Sequence, residues 1–370
     1  MTQKMTTYFS DFLKEIRLTE NQVSELKSAH ETLRRRLKED EDLSNCIVET
    51  FLQGSYKRST AVRPKNGKRS DVDIIIVTNL DKDVVTTEEA LDKFEPFLEK
   101  YYSGKFQKQG RSWGIEMSHV DLDVVPTSAP SEIVEEVIEN NFITSAVDIE
   151  YKTMDESYKE YGFLHKKNLN EAFTMFEKSD TDVTWKNEPL YIPDHEADNW
   201  DKIHPLEQIR WTIDKNCNCN GHYVNIVKAI KWWRKEKYPE VKHPKSYPLE
   251  HFIGNCCPDG IESVAEGITL TLEKIVSDYT IKPFLGDRGV TEHDVFGRLG
   301  VDEYDDFYAT VKEAAPIARK AYDADTIEEA ATEWRKLFGN KFPEPPKRSL
   351  GNQFTQRKED SRNIEGGRFA

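Results

Sequence analysis

The chain has 370 residues, 37% of them hydrophobic, which is long and apolar enough for a large folded core and excludes a mainly disordered protein. Its formal net charge of −15 argues against a general binder of DNA or RNA, because such binding depends on cations that meet phosphates. Five irregularly spaced cysteines, no apolar leader and no run of 18 apolar residues predict a soluble cytoplasmic protein without membrane contact.

Two helices are predicted in the first fifty residues. Thr19 begins a capping-box pattern, and apolar residues then recur at helical spacing, so we expect a long amphipathic helix that ends near the acidic run 38–42. The apolar stretch Cys46–Phe51 is predicted as a second, short helix. It ends just before the pair Gly54-Ser55.

The next hundred residues predict strands alternating with a helix. Asp71–Val77 reads as a buried strand, because its Asp-Val-Asp start leads directly into β-branched residues. A helix is predicted over Glu88–Tyr102, and a second strand over Ile115–Val125, which Pro126 ends. Such alternation is typical of a sheet covered by helices.

The character of the chain changes near residue 200. Before it we predict a helix at 131–140 and a strand at Pro189–Asp194; after it, helices dominate, beginning with a strong one over His222–Lys237. The end of the chain is rich in proline and then polar, as flexible tails are. The predicted parts are a catalytic core over 1–200, a helical lobe over 201–345 and a flexible tail over 346–370.

Aspartates recur on the two predicted strands. Asp71 and Asp73 are two residues apart and therefore point to the same face of one strand, and Asp121 and Asp123 do the same on the other. Asp is depleted in strands, and burying several carboxylates is costly without cations. The pattern predicts a site for two Mg²⁺ ions, with Mn²⁺ as a substitute, of the kind used in nucleotidyl transfer. Spacing alone does not choose between Asp121 and Asp123 as the third ligand.

Gly54-Ser55 supplies a candidate phosphate site ahead of these carboxylates. A glycine lets the backbone approach a phosphate closely, and the serine hydroxyl can bond its oxygens. Lys57 and Arg58 add positive charge nearby. A lone Gly-Ser pair is a turn in most proteins, so the prediction depends on the order Gly-Ser, Asp-x-Asp strand, second Asp-bearing strand.

Two other patterns are weaker. Two segments contain side chains that could bind zinc: one has Cys217, Cys219 and His222, and the other has His251, Cys256 and Cys257. Neither segment has four ligands at the usual zinc spacing, so we predict that these cysteines are buried and bind no metal. The basic and aromatic "KWWRKEK" is typical of nucleic-acid surfaces, yet a helix that buries its tryptophans explains it equally, and the net charge favours the helix.

Taken together, the series "GS…DVDIIIV…VDLDVVP" resembles the polymerase-β-like nucleotidyltransferase superfamily, with a longer connection after Gly-Ser than is usual. Within it the chain is similar to the bacterial cGAS/DncV-like nucleotidyltransferases, or CD-NTases. The likeness covers about residues 10–345 and includes three further motifs, "NIVKAIKWWRK", "KSYPLEHF" and "PFLGDRGVTEHDVFGRL". It implies an α+β fold of two lobes: a mixed β-sheet core with a long N-terminal helix, and an α-helical C-terminal lobe.

The resemblance implies roles for individual residues. Asp71 and Asp73 would ligate both metal ions, and Asp123, which directly precedes the ending Val-Val-Pro, would be the third ligand and a metal-assisted general base. The implied nucleotide-binding residues are Gln53, Gly54, Ser55, Lys231, Ser246, Tyr247 and Lys228. Among these, Ser55 would hold the β- and γ-phosphates and Lys231 would clamp the triphosphate. Lys228, one helical turn earlier, is the second candidate for the clamp lysine. Ser246 would also bond the triphosphate, and Tyr247 would stack on the donor base.

The implied function is synthesis of a cyclic di- or trinucleotide second messenger from ATP and GTP in anti-phage (CBASS) defence. A downstream effector would read the product, and activation by nucleic acid is not expected. A ubiquitin-transfer-like partner would join the exposed C-terminal Ala370 to other molecules. The resemblance assigns no role to the Gly286–Asp294 motif.

Two alternatives of other classes remain. One is an adenylyltransferase that acts on a small molecule, an RNA end or a protein acceptor, although an RNA track calls for more positive charge. The other is a nucleotide-binding module without catalytic activity. The presence of all three acids of the predicted metal site argues against this alternative.

Overall fold

The structure is a computed structural model that describes residues 2–65, 67–129, 188–240 and 243–346. The described elements are, in chain order, α1 Thr2–Ile16, α2 Glu20–Glu39, β1 Ile47–Gln53, α3 Gly54–Lys57, β2 Ser70–Thr78, α4 Thr87–Asp92, α5 Glu95–Tyr102, β3 Phe106–Lys108, β4 Trp113–Glu116, β5 Val120–Ser128, β6 Leu190–Asp194, β7 Asn199–Ile203, α6 Pro205–Asn218, α7 Tyr223–Lys237, α8 Ser246–Cys256, α9 Val264–Asp278, β8 Gly286–Asp287, β9 Val290–Asp294, α10 Val301–Tyr322, α11 Ile327–Phe338 and a 3₁₀ turn Gly339–Lys341.

A mixed sheet forms the core of the first lobe. Its order is β1-β2-β5-β4-β3, with β6 beside β5 and β7 beside β6, and among these pairs β2 and β5 run parallel while the others run antiparallel. The register between β2 and β5 places Asp71 opposite Asp121 and Asp73 opposite Asp123. Two strands remote in sequence therefore bring their carboxylates to the same level of the sheet.

Helix α2 and strand β2 confirm the predictions made for them. Thr19 caps α2, accepting from the backbone N–H of Gln22 while the Gln22 side chain accepts from the N–H of Thr19, which completes the capping box. Leu26, Leu33 and Leu37 are fully buried against the sheet. The mixed sheet and the long helix confirm the α+β class.

Three local predictions are wrong. The residues predicted as a short helix over Cys46–Phe51 form β1 instead, because pairing with β2 overrides an ambiguous apolar run. The helix over Glu88–Tyr102 is two helices, broken ahead of Pro96. The single strand over Ile115–Val125 is β4 and β5, paired as a hairpin, and Pro126 lies inside β5.

The second lobe is helical, with the β8–β9 hairpin beside its helices. Its core continues into the first helix of the chain, where Phe9 and Phe12 pack against Trp334, Phe338 and Phe342. The stack of Phe12 on Phe338 has ring centroids 4.5 Å apart. Helix α1, which the sequence did not reveal, therefore attaches the start of the chain to the helical lobe.

Several predictions fall outside the described residues: the helix at 131–140, most of the tail and the terminal Ala370. The strand predicted at Pro189–Asp194 is confirmed as β6. Among the described helices, none combines the length and apolar character that a membrane span requires.

Candidate active site

The sheet brings three of the predicted carboxylates together. Burial, followed by repulsion from Asp71 and Asp123, raises the pKa of Asp73 to about 7. Burial and repulsion from Asp71 likewise raise the pKa of Asp123 to about 6, although Gln109 Nε2 donates to its Oδ1 at 3.4 Å. Asp71, Asp73 and Asp123 therefore share one electrostatic environment in which each additional negative charge is unfavourable.

Asp121 differs from Asp123 in its partners. The guanidinium of Arg69 donates to Asp121 and also pairs with Glu116 at 2.8 Å. Asp121 is therefore already compensated by a cation of the protein, whereas Asp123 has an uncharged glutamine as its hydrogen-bond donor. This geometry supports the choice of Asp123 that the resemblance implied.

The turn from β1 into α3 lies directly against these carboxylates. Gly54 has φ +77°, in the left-handed region, and a Cβ at this position would overlap the carboxylate of Asp73. Gln53 is the register partner of Asp73 across β1 and β2. Because any side chain at position 54 would overlap the Asp73 carboxylate, only glycine fits there, and the Gly-Ser pair and the carboxylates form one compact site.

Both lobes line a cleft with a volume of about 1210 Å³ above this site. Asp71 and Asp73 line the cleft itself, whereas Asp123 is set beside Asp73 by the strand register. The cleft brings together predicted residues from both lobes: Gln53, Gly54, Ser55, Lys231, Ser246 and Tyr247. Lys228 is buried in α7 and is not part of this lining.

A buried ionic bridge joins the two lobes beneath the cleft. Glu250 on α8 pairs through Oε2 with Arg58 Nε at 3.1 Å and through Oε1 with Lys231 Nζ at 2.7 Å. Lys231 also donates to the carbonyl of Thr60 at 3.1 Å. Burial alone raises the pKa of Glu250, but the charges of Lys231 and Arg58 bring that pKa down to about 2. The predicted clamp lysine is thus held by a carboxylate that the sequence analysis missed.

Two further cations on α7 face the cleft. Desolvation by the groups around it in the cleft and repulsion from Lys231 lower the pKa of Lys235 to about 8. Arg234 also lines the cleft, and its Nη1 has no hydrogen-bond partner among the described residues. Because an anion relieves the repulsion between neighbouring cations, this part of the cleft favours an anionic ligand. Both residues belong to the segment "KWWRKEK", and no nucleotide-binding role was predicted for either of them.

Tyr247 is fixed by its hydroxyl. The hydroxyl donates to Asp287 on the β8–β9 hairpin, and the guanidinium carbon of Arg58 lies 5.0 Å from the ring centroid. Burial and the nearby charge of Asp287 raise the pKa of Tyr247 well above its usual value, so the hydroxyl keeps its proton. Ser246, at the start of α8, is exposed to the cleft.

Cysteines lie away from this cleft. Cys219 and Cys257 are buried with their sulfurs 3.9 Å apart. Over the described ranges, no three His, Cys, Asp or Glu side chains already enclose a common metal position. The chemistry of Asp71, Asp73 and Asp123 nevertheless fits a hard cation, because three mutually repelling carboxylates offer the oxygen ligands that such ions prefer.

Carboxylates on two adjacent strands, a glycine turn against them and a cationic wall across the cleft define a metal-dependent nucleotidyltransferase. The first 138 residues match the Second Messenger Oligonucleotide or Dinucleotide Synthetase domain. The chain is 43% identical to a cyclic AMP-AMP-GMP synthase of Enterobacter hormaechei subsp. hoffmannii over 91% of both chains. It is 30% identical to a cyclic AMP-AMP-AMP synthase of an Acinetobacter species, covering 92% of this chain and 86% of that one.

The fold agrees with these sequence matches. The crystal structure of the Vibrio cholerae cyclic AMP-GMP synthase DncV aligns with a TM-score of 0.65 at 13% identity, covering 92% of this chain and 97% of that one. The chain therefore belongs to the bacterial cGAS/DncV-like nucleotidyltransferases, which confirms the resemblance seen in its motifs. It is an enzyme of the cyclic oligonucleotide synthase type.

Proposed function

We propose that this protein joins ATP and GTP into a cyclic AMP-AMP-GMP trinucleotide, with Asp71, Asp73 and Asp123 as the metal-binding and catalytic residues. The observation that carries the proposal is the 43% identity to a cyclic AMP-AMP-GMP synthase over 91% of both chains. The position of the three carboxylates beside Gly54 supports it, because the turn and the acids are both needed for nucleotidyl transfer.

In each step a ribose hydroxyl of one nucleotide attacks the α-phosphorus of another. A new P–O bond forms, the bond between the α- and β-phosphates breaks, and pyrophosphate leaves. Asp123 accepts the hydroxyl proton, and the last attack, within the linear trinucleotide, closes the ring. Two Mg²⁺ ions, for which Mn²⁺ can substitute, would be held by the three aspartates and would supply charge neutralisation at the phosphates.

The remaining residues hold the triphosphate and the base. Ser55 and the amide of Gly54 donate hydrogen bonds to the phosphates from the first lobe, and Ser246 does so from the second. Lys231 contributes positive charge while it remains bridged to Glu250, and Arg234 and Lys235 add further positive charge for the triphosphate. Tyr247 stacks on the base of the donor nucleotide.

The product is proposed to be a second messenger in anti-phage defence that a downstream effector reads. Conjugation of Ala370 by a ubiquitin-transfer-like partner stays a prediction, as does cytoplasmic location.

A product assay tests the proposal. Purified protein is incubated with ATP, GTP, CTP and UTP and Mg²⁺ or Mn²⁺, treated with phosphatase and analysed by mass spectrometry, with Asp71→Asn as control. The proposal predicts a phosphatase-resistant species with the mass of cyclic AMP-AMP-GMP that is absent from the control. A cyclic species of another composition would replace the product assignment, and pyrophosphate release with a labelled acceptor but no cyclic species would favour an adenylyltransferase.

A further inference from the structure

The turn Gly286–Gly289, written GDRG in the sequence, contacts several parts of the cleft wall besides Tyr247. Gly289 has φ +78°, and a Cβ there would lie 2.7 Å from the Cβ of His204, at the start of α6. The guanidinium carbon of Arg288 lies 3.5 Å from the ring centroid of Trp211 on α6, and Arg288 also donates to Asn255 on α8 at 2.5 Å. The turn is therefore wedged between two helices of the second lobe.

Asp287 in this turn accepts hydrogen bonds from both sides. Its Oδ1 accepts from the hydroxyl of Tyr247, and its Oδ2 accepts from Gln208 Nε2 at 3.0 Å. Gln208 Oε1 in turn accepts from Gln53 Nε2 at 2.8 Å. A continuous chain of hydrogen bonds thus runs from Tyr247, through Asp287, to the residue that precedes Gly54.

The backbone keeps Asp287 in place for this task. Its Oδ1 also accepts from the N–H of Arg288 at 2.8 Å, and the residue is 8% exposed. A buried carboxylate with three donors has little freedom to turn, and a hydrogen bond to a charged acceptor is stronger than a neutral one. The Tyr247 ring, which lines the cleft, is consequently held at its outer end.

We propose that Asp287 is a positioning residue for nucleotide binding that acts through the hydroxyl of Tyr247. The proposal rests on the proposed function, in which the Tyr247 ring contacts the nucleotide base. Without Asp287 the ring samples other orientations, and nucleotide binding must then restore its order. The resulting loss of binding free energy is the same in the ground state and in the transition state, so KM rises while kcat stays unchanged.

A double-mutant cycle tests this coupling. The values of kcat and KM for ATP are measured for the wild type, Asp287→Ala, Tyr247→Phe and the double variant. Each single change is expected to raise KM about tenfold with kcat within about twofold, because each removes the same charge-assisted hydrogen bond. The double variant is expected to match the single ones in KM, since the proposal has Asp287 act on the nucleotide only through the Tyr247 hydroxyl.

Three comparisons keep the test decisive. Asp287→Asn retains one acceptor for the tyrosine but loses the charge and the acceptor for Gln208, so its KM is expected between that of the wild type and that of Asp287→Ala. Glu273→Ala removes a surface carboxylate paired with Arg319 and is expected to leave KM unchanged. If Asp287→Ala does not fold, Tyr247→Phe decides alone. An unchanged KM in Tyr247→Phe, or a KM in the double variant raised by the product of the two single effects, overturns the proposal.

The same cycle separates this proposal from the proposed function. If the wild type forms no nucleotide product, the proposed function fails, and dissociation constants of a nonhydrolysable ATP analogue are measured for the four proteins instead. Tenfold weaker binding in each single variant, with no further loss in the double variant, supports the positioning role of Asp287. Additive losses or none overturn it.

Discussion

The two walls of the cleft handle charge in opposite ways. The strand wall holds Asp71, Asp73 and Asp123, whose mutual repulsion and burial raise the pKa of Asp73 and Asp123 far above the usual value. The helical wall buries Glu250 with two cations, which lower the pKa of that carboxyl to about 2. Among the described residues, the carboxylates of the strand wall have no cation in a salt bridge with them, whereas Glu250 in the helical wall already has two. The contrast supports the chemical role proposed for the strand wall, while the Glu250 bridge joins residues of the two lobes.

The largest expected effect comes from removing a carboxylate of the strand wall. We expect Asp123→Asn to lower the rate of pyrophosphate release about 10³-fold, because the proposed metal ligand and proton acceptor is lost. The melting temperature should stay constant or rise, because repulsion with Asp71 is relieved. Both quantities are measured on the same preparations.

Asp121→Asn is the matched control, because it makes the same change two residues away on the same strand. Since Arg69 already pairs with Asp121, we expect activity close to that of the wild type. If Asp121→Asn lost as much activity as Asp123→Asn, or if Asp123→Asn kept its activity, Asp121 would be the third ligand.

Breaking the helical wall should affect stability first. Glu250→Gln leaves Arg58 and Lys231 buried without their counter-charge, and we expect the free energy of unfolding to fall by about 3 kcal/mol. Glu273→Gln removes an ion pair with Arg319 at the surface and should cost less than about 1 kcal/mol. Urea unfolding followed by circular dichroism measures both. Equal losses in the two variants would show that the bridge does not hold the lobes together.

The two walls should also respond to pH in opposite directions. The folded-state pKa values of about 7 for Asp73 and about 6 for Asp123 exceed the ordinary 3.8, so the folded protein keeps protons that the unfolded chain has released. Stability of the metal-free protein should therefore fall as pH rises from about 4 to 7, by on the order of 2 kcal/mol. Glu250, with its pKa lowered from 4.5 to about 2, stabilises the fold above about pH 4.5, and this contribution is lost as pH falls toward 2.

Urea unfolding in a metal chelator at about pH 5 and about pH 8 measures this response. Asp73→Asn should reduce the difference between the two pH values, and Mg²⁺ should restore stability at the higher one. A difference that Asp73→Asn leaves untouched would place its origin elsewhere in the protein.

The smallest expected effect concerns the cations that face the cleft. Lys235→Gln should raise KM for ATP about fivefold and leave kcat nearly unchanged, because it removes one charge from the triphosphate site. Lys237 lies on the same helix but does not line the cleft, so Lys237→Gln is the control and should have no effect. Equal KM values for the two variants would remove Lys235 from the site.

The strand wall could be predicted from the sequence because its signals are local. The β-branched run of β2 and the spacing of its aspartates need no knowledge of distant residues, and both were found at their predicted positions. In β1 the apolar run fits a helix or a strand equally well, and pairing with β2 makes it a strand. The β4–β5 boundary was missed because its turn, Met117–His119, contains neither glycine nor proline.

The helical wall could be predicted only in part. Lys231, Ser246 and Tyr247 came from a family resemblance, but their partners did not. Glu250 meets Arg58 across 192 residues of sequence, and Asp287 meets Tyr247 across 40. An isolated glutamate inside an apolar helix carries no signal of a charge that arrives from the other lobe, so such partners became visible only in the folded structure.

We propose that the carboxylates of β2 and β5 bind cations from solution. Calorimetric titration of Mg²⁺ into protein saturated with a nonhydrolysable ATP analogue tests this directly. We expect saturable binding by the wild type and by Asp121→Asn, and loss of that binding in Asp73→Asn. Equal binding of Mg²⁺ by all three proteins would contradict it.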